Sequence, residues 1–203
     1  RETGRSARML FEVLGDIWAV ERNPYLVDDL LDHPNRQIAL VNAMRHRINE
    51  IEKRGDDNGK IGEIIVAARQ AVHKFDENFV QIRQKRREVL KALSRHTHKD
   101  NISFDGLCRV SHATDATDWR IEYPFVVITP EKESEVAPLV NALIALELTI
   151  IPRGGGTGYS GSCVPLHAMS AVINTEKLHL FHLTKETSLP GLEGMHPVIH
   201  CGS

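Results

Sequence analysis

No stretch of this sequence stays apolar for the roughly 18 residues that a membrane-crossing helix requires, so no transmembrane segment is expected. Cysteine is scarce: Cys108, Cys163 and Cys201 are odd in number, far apart and without a CxxC spacing. That excludes a disulfide framework and points to a reducing, cytoplasmic setting. Aromatic residues are only 5% of the chain, too thinly spread to interleave with cations as a base-stacking surface does. The Arg-rich start RETGRSARMLFEVLG has no uninterrupted hydrophobic segment and no small-residue cleavage site, so it does not read as a secretory signal. The first residue is not Met, and the numbered chain is expected to have lost an initiator or more.

Net charge is also nearly absent, at −2 over 203 residues, but the balance is uneven. Residues 1–104 carry 19 Lys/Arg against 16 Asp/Glu, and residues 105–203 carry 6 against 11. The asymmetry suggests two parts of different character, a helical region over 1–104 and a second domain over 105–203. An apolar content of 41% is enough for a real core in one large or two small domains.

The first part reads as helices. Leu10, Leu14 and Ile17 suit one face of a first helix, which Asn23-Pro24 should end, because the residue before proline is pushed out of the α region. Ile38, Val41, Met44, Ile48 and Ile51 follow at spacings of three and four, and RGDDNGK over 54–60 supplies a turn. The strongest period runs through Ile65, Ala68, Val72, Phe75, Phe79, Ile82, Val89 and Leu93, a heptad seam broken at Arg86. A helix over 61–95 would be about 50 Å long. The first two helices should pack end to end along it, unless another part of a larger protein or an oligomeric coiled coil covers the remainder.

Two constellations in this helix are read as ordinary surface. Arg83, Lys85, Arg86, Arg87, Lys91, Arg95 and Lys99 cluster against the single Glu88, and phosphate contact needs only clustered cations. Solvated Lys and Arg faces are common, however, and no nucleic-acid partner is assigned. His96 and His98 have no carboxylate or cysteine cluster beside them, and no metal is assigned.

From about residue 121 the period changes. PFVVITP reads as a buried strand, and a helix follows with Val136, Leu139, Val140, Leu143 and Ile144 on one face. With Ser134 as N-cap, Pro138 falls in the first turn, where its missing N–H matters little. LTIIP is a second strand, so 125–152 form a β–α–β unit with parallel strands and a right-handed crossover. Behind it IIPRGGGTGYSG packs five glycines into one loop. Gly156 to Gly161 satisfy GxGxxG, but the loop follows the second strand and opens no helix, so the Rossmann fingerprint fails. No Lys-Ser/Thr follows the glycines, and the P-loop fails as well. What remains is an anion nest, in which successive peptide N–H groups freed by glycine close around phosphate oxygens. Arg153 at its mouth would add charge-assisted hydrogen bonds.

The stretch YPFVVITPEKESEVAPLVNALIALELTIIPRGGGTGYSG, with PLHAMSAVINTEKL behind it, resembles the first lobe of the FAD-binding domain of the vanillyl-alcohol-oxidase, or p-cresol methylhydroxylase (PCMH), superfamily. It looks nearest to the FAD-linked D-lactate, glycolate and D-2-hydroxyglutarate dehydrogenases. The helical leader with DNISFDGLCRVSHATDATDWRIEYPFVV is similar to a bacterial branch in which this domain sits in a very large polypeptide, often with iron–sulfur regions further on. The resemblance covers essentially the whole chain and is most specific over 115–178. It implies an α+β fold: a helical N-terminal region with a long helix, then an incomplete PCMH-type lobe over 105–203.

The implied function is an FAD-dependent oxidoreductase acting on a D-2-hydroxy acid. Pro152, Arg153, Gly154, Gly155, Gly156, Thr157, Gly158, Tyr159, Ser160 and Gly161 match the loop that wraps the FAD pyrophosphate. Covalent relatives often place a histidine where Thr157 stands, so non-covalent FAD is expected. After the strand PVIHC, Gly202-Ser203 resembles the start of a next glycine turn. The second lobe, the substrate cap, the catalytic residues and any iron–sulfur cluster are expected beyond residue 203, and residues 1–203 alone to be catalytically silent. Neither His112 nor His200 can be assigned as a base. An alternative is a non-catalytic helical interaction module fused to a nucleotide-binding lobe.

Overall fold

In the computed structural model, residues 3–53, 59–178, 181–188 and 190–201 are described. The chain divides into two compact units, Arg1–Glu88 with Asp105–Leu107, and Val89–Phe104 with Cys108–Ser203. The architecture is mixed helix and sheet, as expected.

The first unit is built from α1 (Thr3–Glu21), α2 (Pro24–Asp32), α3 (Pro34–Lys53) and most of α4 (Gly59–Leu93). Asn23-Pro24 does end the first helix, but the same dipeptide starts another that the periodicity did not reveal. The Asn23 side chain accepts from the N–H groups of Tyr25 and Leu26 at 3.0 and 3.2 Å, and Pro24 takes the first helical position, where no N–H is needed. Most of the expected turn at 54–60 lies outside the described residues.

One core joins these helices through Leu10, Val13, Ile17 and Val20 of α1, Val41, Met44, Ile48 and Ile51 of α3, and Ile65, Ala68, Val72, Phe75 and Phe79 of α4. Two inward assignments need correction. Leu14 is 41% exposed, and Val13 holds its place. Ile38 is 53% exposed, while Gln37 turns inward. A buried amide is tolerable there because α4 satisfies it: Gln37 Nε2 donates to Asp76 Oδ1 at 2.8 Å, and its Oε1 accepts from Arg83 Nη2 at 2.6 Å. Arg83 also donates to the carbonyls of Leu30 and Leu31, so this member of the basic cluster is spent inside the fold, while Lys85 pairs along the helix with the exposed Glu88.

The second unit holds a four-stranded sheet of β1 (Ile102–Ser103), β2 (Val126–Ile128), β3 (Thr149–Arg153) and β4 (Ser170–Asn174), in the order β1-β2-β4-β3. β1 is antiparallel to β2, and β4 pairs parallel with both β2 and β3. The expected β–α–β strands are therefore parallel, but β4 lies between them. Pro152 sits on β3 at the sheet edge, where a missing ladder donor is tolerated. Between β1 and β2 in the chain lies the short helix α5 (Gly106–Ser111).

The crossover helix α6 runs Glu133–Ala145, and its N-cap is Lys132 rather than Ser134. Lys132 makes no side-chain cap bond. Glu135 reaches back instead, its Oε2 accepting from Glu131 N at 3.2 Å and from Thr97 Oγ1 at 2.8 Å. Pro138 thus lies inside the helix, which forfeits one intrahelical bond. Leu139 and Leu143 are fully buried, whereas Ile144, expected inward, is exposed. At the far end Glu147 N donates to Ile144 O and Leu148 N to Leu143 O, a Schellman closure with Glu147 at φ 57.

A separate two-stranded antiparallel sheet pairs β5 (Phe181–Thr187) with β6 (His196–Cys201). The strand expected at PVIHC is β6. Gly202 and Ser203 lie outside the described residues.

Candidate functional site

The glycine loop leaves the C-terminal end of β3, where Arg153 is in register with Asn174 of β4. Thr175 closes the strand by donating its N–H to Arg153 O at 2.9 Å. Beyond that bond, no backbone N–H from Gly154 through Ser162 donates to any protein acceptor among the described residues. The next backbone–backbone bond is Val164 N to Gly161 O at 3.1 Å. A run of unpaired donors on a solvated loop is the electrostatic requirement for holding an anion.

The glycines in this run serve two purposes. Gly156 has φ 67, and a Cβ there would run into the Arg153 guanidinium. Gly161 has φ 73, and a Cβ would meet the Trp119 ring at 3.0 Å. Gly154, Gly155 and Gly158 have neither reason. A Cβ on them would find nothing closer than Thr175 Oγ1, Thr157 Cγ2 and Ser162 Oγ, at 3.8–3.9 Å, and none has positive φ. Their missing side chains leave open space beside the backbone, which suits the close approach of a ligand.

Pro152, Gly154, Gly155, Thr157, Tyr159 and Ser160 are exposed, and Arg153, Gly156, Gly158 and Gly161 are half-buried. Arg153, expected at the mouth as an anion ligand, donates from Nη1 to Thr114 O at 2.6 Å. Periodicity and motif reading missed the segment that receives it. Asp115 Oδ1 accepts from Thr117 N at 2.9 Å and from Thr117 Oγ1 at 2.5 Å, an Asx turn closed by Asp118 N on Asp115 O. Its signal is the string DATD, an Asp followed two residues later by Thr. These bonds hold the Asp115 carboxyl below its ordinary value against the opposing effect of burial, and the Cys163 N–H and the Arg153 charge act the same way from further off. Cys163 Sγ, at the loop's other end, donates to Pro152 O at 3.6 Å.

His112 bridges the end of α5 to Asn174, the last residue of β4. Its Nδ1 is 2.8 Å from Cys108 O, which can only accept, so the ring proton is on Nδ1, and Nε2 accepts from Asn174 Nδ2 at 2.9 Å. Cys108 Sγ lies 3.9 Å from the same Nδ1, but a nitrogen already donating to the helix carbonyl is not free to take a thiol proton. Among the described residues no group of three or more His, Cys, Asp or Glu could hold a metal ion. His98 caps a 3-10 turn, its Nδ1 accepting from Asp100 N at 3.4 Å. The side chain of His200 is not among those described.

Fold and site together define a chain with a helical unit and an α/β unit that presents an unpaired-donor glycine loop at a parallel strand's end. Residues 1–77 match the profile of a family described as "Protein of unknown function (DUF3683)". No curated protein matches the chain. Similar solved structures include alkyldihydroxyacetonephosphate synthase in two crystal forms. One has 23% identity and a TM-score of 0.44 over 48% of this chain and 22% of that one. The other has 20% identity and a TM-score of 0.42 over 49% and 20%. A p-cresol methylhydroxylase with substrate bound has 15% identity and a TM-score of 0.42 over 51% of this chain and 20% of that one. The chain thus spans about a fifth of the length of these proteins.

Proposed function

We propose that this chain supplies the pyrophosphate-binding loop of an FAD-dependent dehydrogenase that oxidises a D-2-hydroxy acid such as lactate, glycolate or 2-hydroxyglutarate. The observation that carries the reading is the run of unpaired N–H groups from Gly154 through Ser162, in a loop where Gly154, Gly155 and Gly158 have room for a side chain and no need of positive φ. A diphosphate offers the dense set of acceptor oxygens that such a run satisfies. The resemblance of residues 115–178 to PCMH-type sequences selects FAD among diphosphate ligands, and the hydroxy-acid class rests on that resemblance alone.

In this reading the backbone of Gly154 to Gly161 holds the diphosphate, with Thr157 and Ser160 offering hydroxyls and Pro152 fixing the loop's departure from β3. When bound, FAD supplies a ring that accepts the hydride of the hydroxy acid's α-carbon. Thr157 cannot form a ring attachment to flavin, so the cofactor is held non-covalently. Other lobes of the same polypeptide supply the substrate site and any iron–sulfur cluster, and the protein works in the cytoplasm, where the free thiols of Cys108 and Cys163 persist.

The test is made on the intact protein. FAD titration followed by flavin fluorescence should saturate at one flavin per chain, and acid precipitation should leave the yellow cofactor in the supernatant. An artificial dye should be bleached with D-lactate, glycolate or D-2-hydroxyglutarate. No flavin binding would remove the reading altogether. Binding without bleaching by any hydroxy acid would remove the substrate class and leave the flavin site.

A further inference from the structure

We infer that Arg153 is a strut of the glycine loop, braced by Thr114 and Asp115, and acts on a bound anion by positioning the loop rather than by touching the anion. The inference rests on the reading of that loop as a diphosphate site and specifies how the loop is kept in shape.

Three features carry it. The Arg153 side chain turns back along the chain, Nη1 donating to Thr114 O at 2.6 Å, and its guanidinium takes the space a Gly156 side chain would need. Gly156 is therefore matched to Arg153 in this conformation, and moving Arg153 onto an anion would uncover the Gly156 backbone and leave Thr114 O without its donor. Asp115, next in the chain, is 8% exposed and locked by Thr117, and its buried Oδ2 has no hydrogen-bond partner. A buried carboxylate with a spare acceptor within electrostatic reach of the guanidinium favours the cation where it is. Finally, the segment that holds Arg153 also meets the far end of the loop. The Trp119 ring lies against Gly161, and Cys163 Sγ donates back to Pro152 O. Residues 114–119 thus brace the run of free N–H groups at both ends.

A strut and a direct ligand respond oppositely to Asp115. If Arg153 touched the anion, neutralising Asp115 would remove a repulsive charge and leave binding unchanged or tighter. If Arg153 is a strut, Asp115→Asn puts an amide donor beside the guanidinium and the Cys163 N–H, loosens the brace and weakens binding.

The experiment measures FAD affinity of the intact protein and its Asp115→Asn, Arg153→Lys and Arg153→Met variants at several salt concentrations. It also measures chymotryptic cleavage after Tyr159, which is 86% exposed in the loop, without ligand. The strut predicts that Asp115→Asn and both Arg153 variants bind FAD about tenfold more weakly, the effect of one lost charge-assisted bond. The salt dependence of Arg153→Met should match that of wild type, and cleavage after Tyr159 should speed up in all three. Thr117→Val, which removes one bond to Asp115 and keeps the charge, should give a smaller change of the same sign and serves if Asp115→Asn does not fold. Full affinity in Arg153→Lys, a flatter salt dependence in Arg153→Met, or unchanged or tighter binding in Asp115→Asn would overturn the strut. If wild type binds no FAD, the flavin reading falls, while unchanged cleavage after Tyr159 in the variants would independently overturn the strut.

Discussion

Arg86 Nη2 donates to Asp28 Oδ1 at 2.6 Å, joining α4 to α2 where the apolar seam of α4 is interrupted. The two side chains are 18% and 16% exposed, so the pair is far less screened than a surface ion pair. A charge at a seam position is costly alone and tolerable with a partner. Arg86→Met should therefore destabilise by about 2 kcal/mol, because Asp28 is left behind. Adding Asp28→Asn should recover a substantial part of that loss. Urea unfolding of the two variants checks both statements, and a single variant as stable as wild type would mean that the pair contributes nothing.

Asp115 gives the second unit a defined acid sensitivity. Its carboxyl is held below its ordinary 3.8 chiefly by the hydroxyl and N–H of Thr117. A group whose folded pKa is depressed contributes stability that is complete above its unfolded pKa and lost as pH falls through the folded one. Wild type should therefore exceed Asp115→Asn by a constant margin at neutral pH, and the margin should close only below about pH 4. Urea midpoints of the two proteins across acid pH measure it. A margin that closes near pH 6 would assign the titration to another group.

Glu147 adopts φ 57 at the end of α6, a conformation that disfavours any side chain with a Cβ. The bonds that close the helix there are backbone only, and Glu147 is exposed. Glu147→Gly should raise stability by about 0.5–1 kcal/mol. A lower urea midpoint in the variant would show that the glutamate side chain holds something the backbone bonds do not.

Much of the helical unit is legible because its apolar spacing is a local property. Ile65 to Phe79 are inward as the heptad reading requires, yet one turn of α3 misleads. Whether Gln37 or Ile38 faces inward depends on Asp76 and Arg83 of α4, which no periodicity within α3 can report. α2 was missed although its signal, Asn followed by Pro, is a local start signal as well as a stop. In the sheet β2 and β3 are readable from their own residues, but the two-residue β1 is too short to carry a pattern, and the insertion of β4 between β2 and β3 is set by pairing over a distance. At the site the glycines stand out in the sequence because their chemistry is local. The role of Arg153 does not, because its partners Thr114 and Asp115 lie some forty residues earlier.

The loop glycines separate into two classes that mutation should distinguish. Gly156 needs positive φ and its side-chain space is filled by Arg153, so Gly156→Ala should destabilise the second unit by about 1–2 kcal/mol and weaken flavin binding as a consequence. Gly155 has ordinary φ, and a Cβ there would meet only Thr157 Cγ2 at 3.8 Å, so the free protein has room for it. Gly155→Ala and Gly155→Val should therefore leave the melting temperature close to wild type. What they should change is the approach to the loop: in the proposed diphosphate site a methyl beside the backbone obstructs the ligand, and the larger valine side chain should abolish flavin retention through purification. The measurement is a paired one, melting temperature without ligand and the ratio of FAD to protein, for Gly155→Ala, Gly155→Val and Gly156→Ala. A Gly155→Val protein of normal stability that still carries a full complement of FAD would mean that these glycines face solvent for no ligand-related reason, and the diphosphate site would have to be sought elsewhere in the chain.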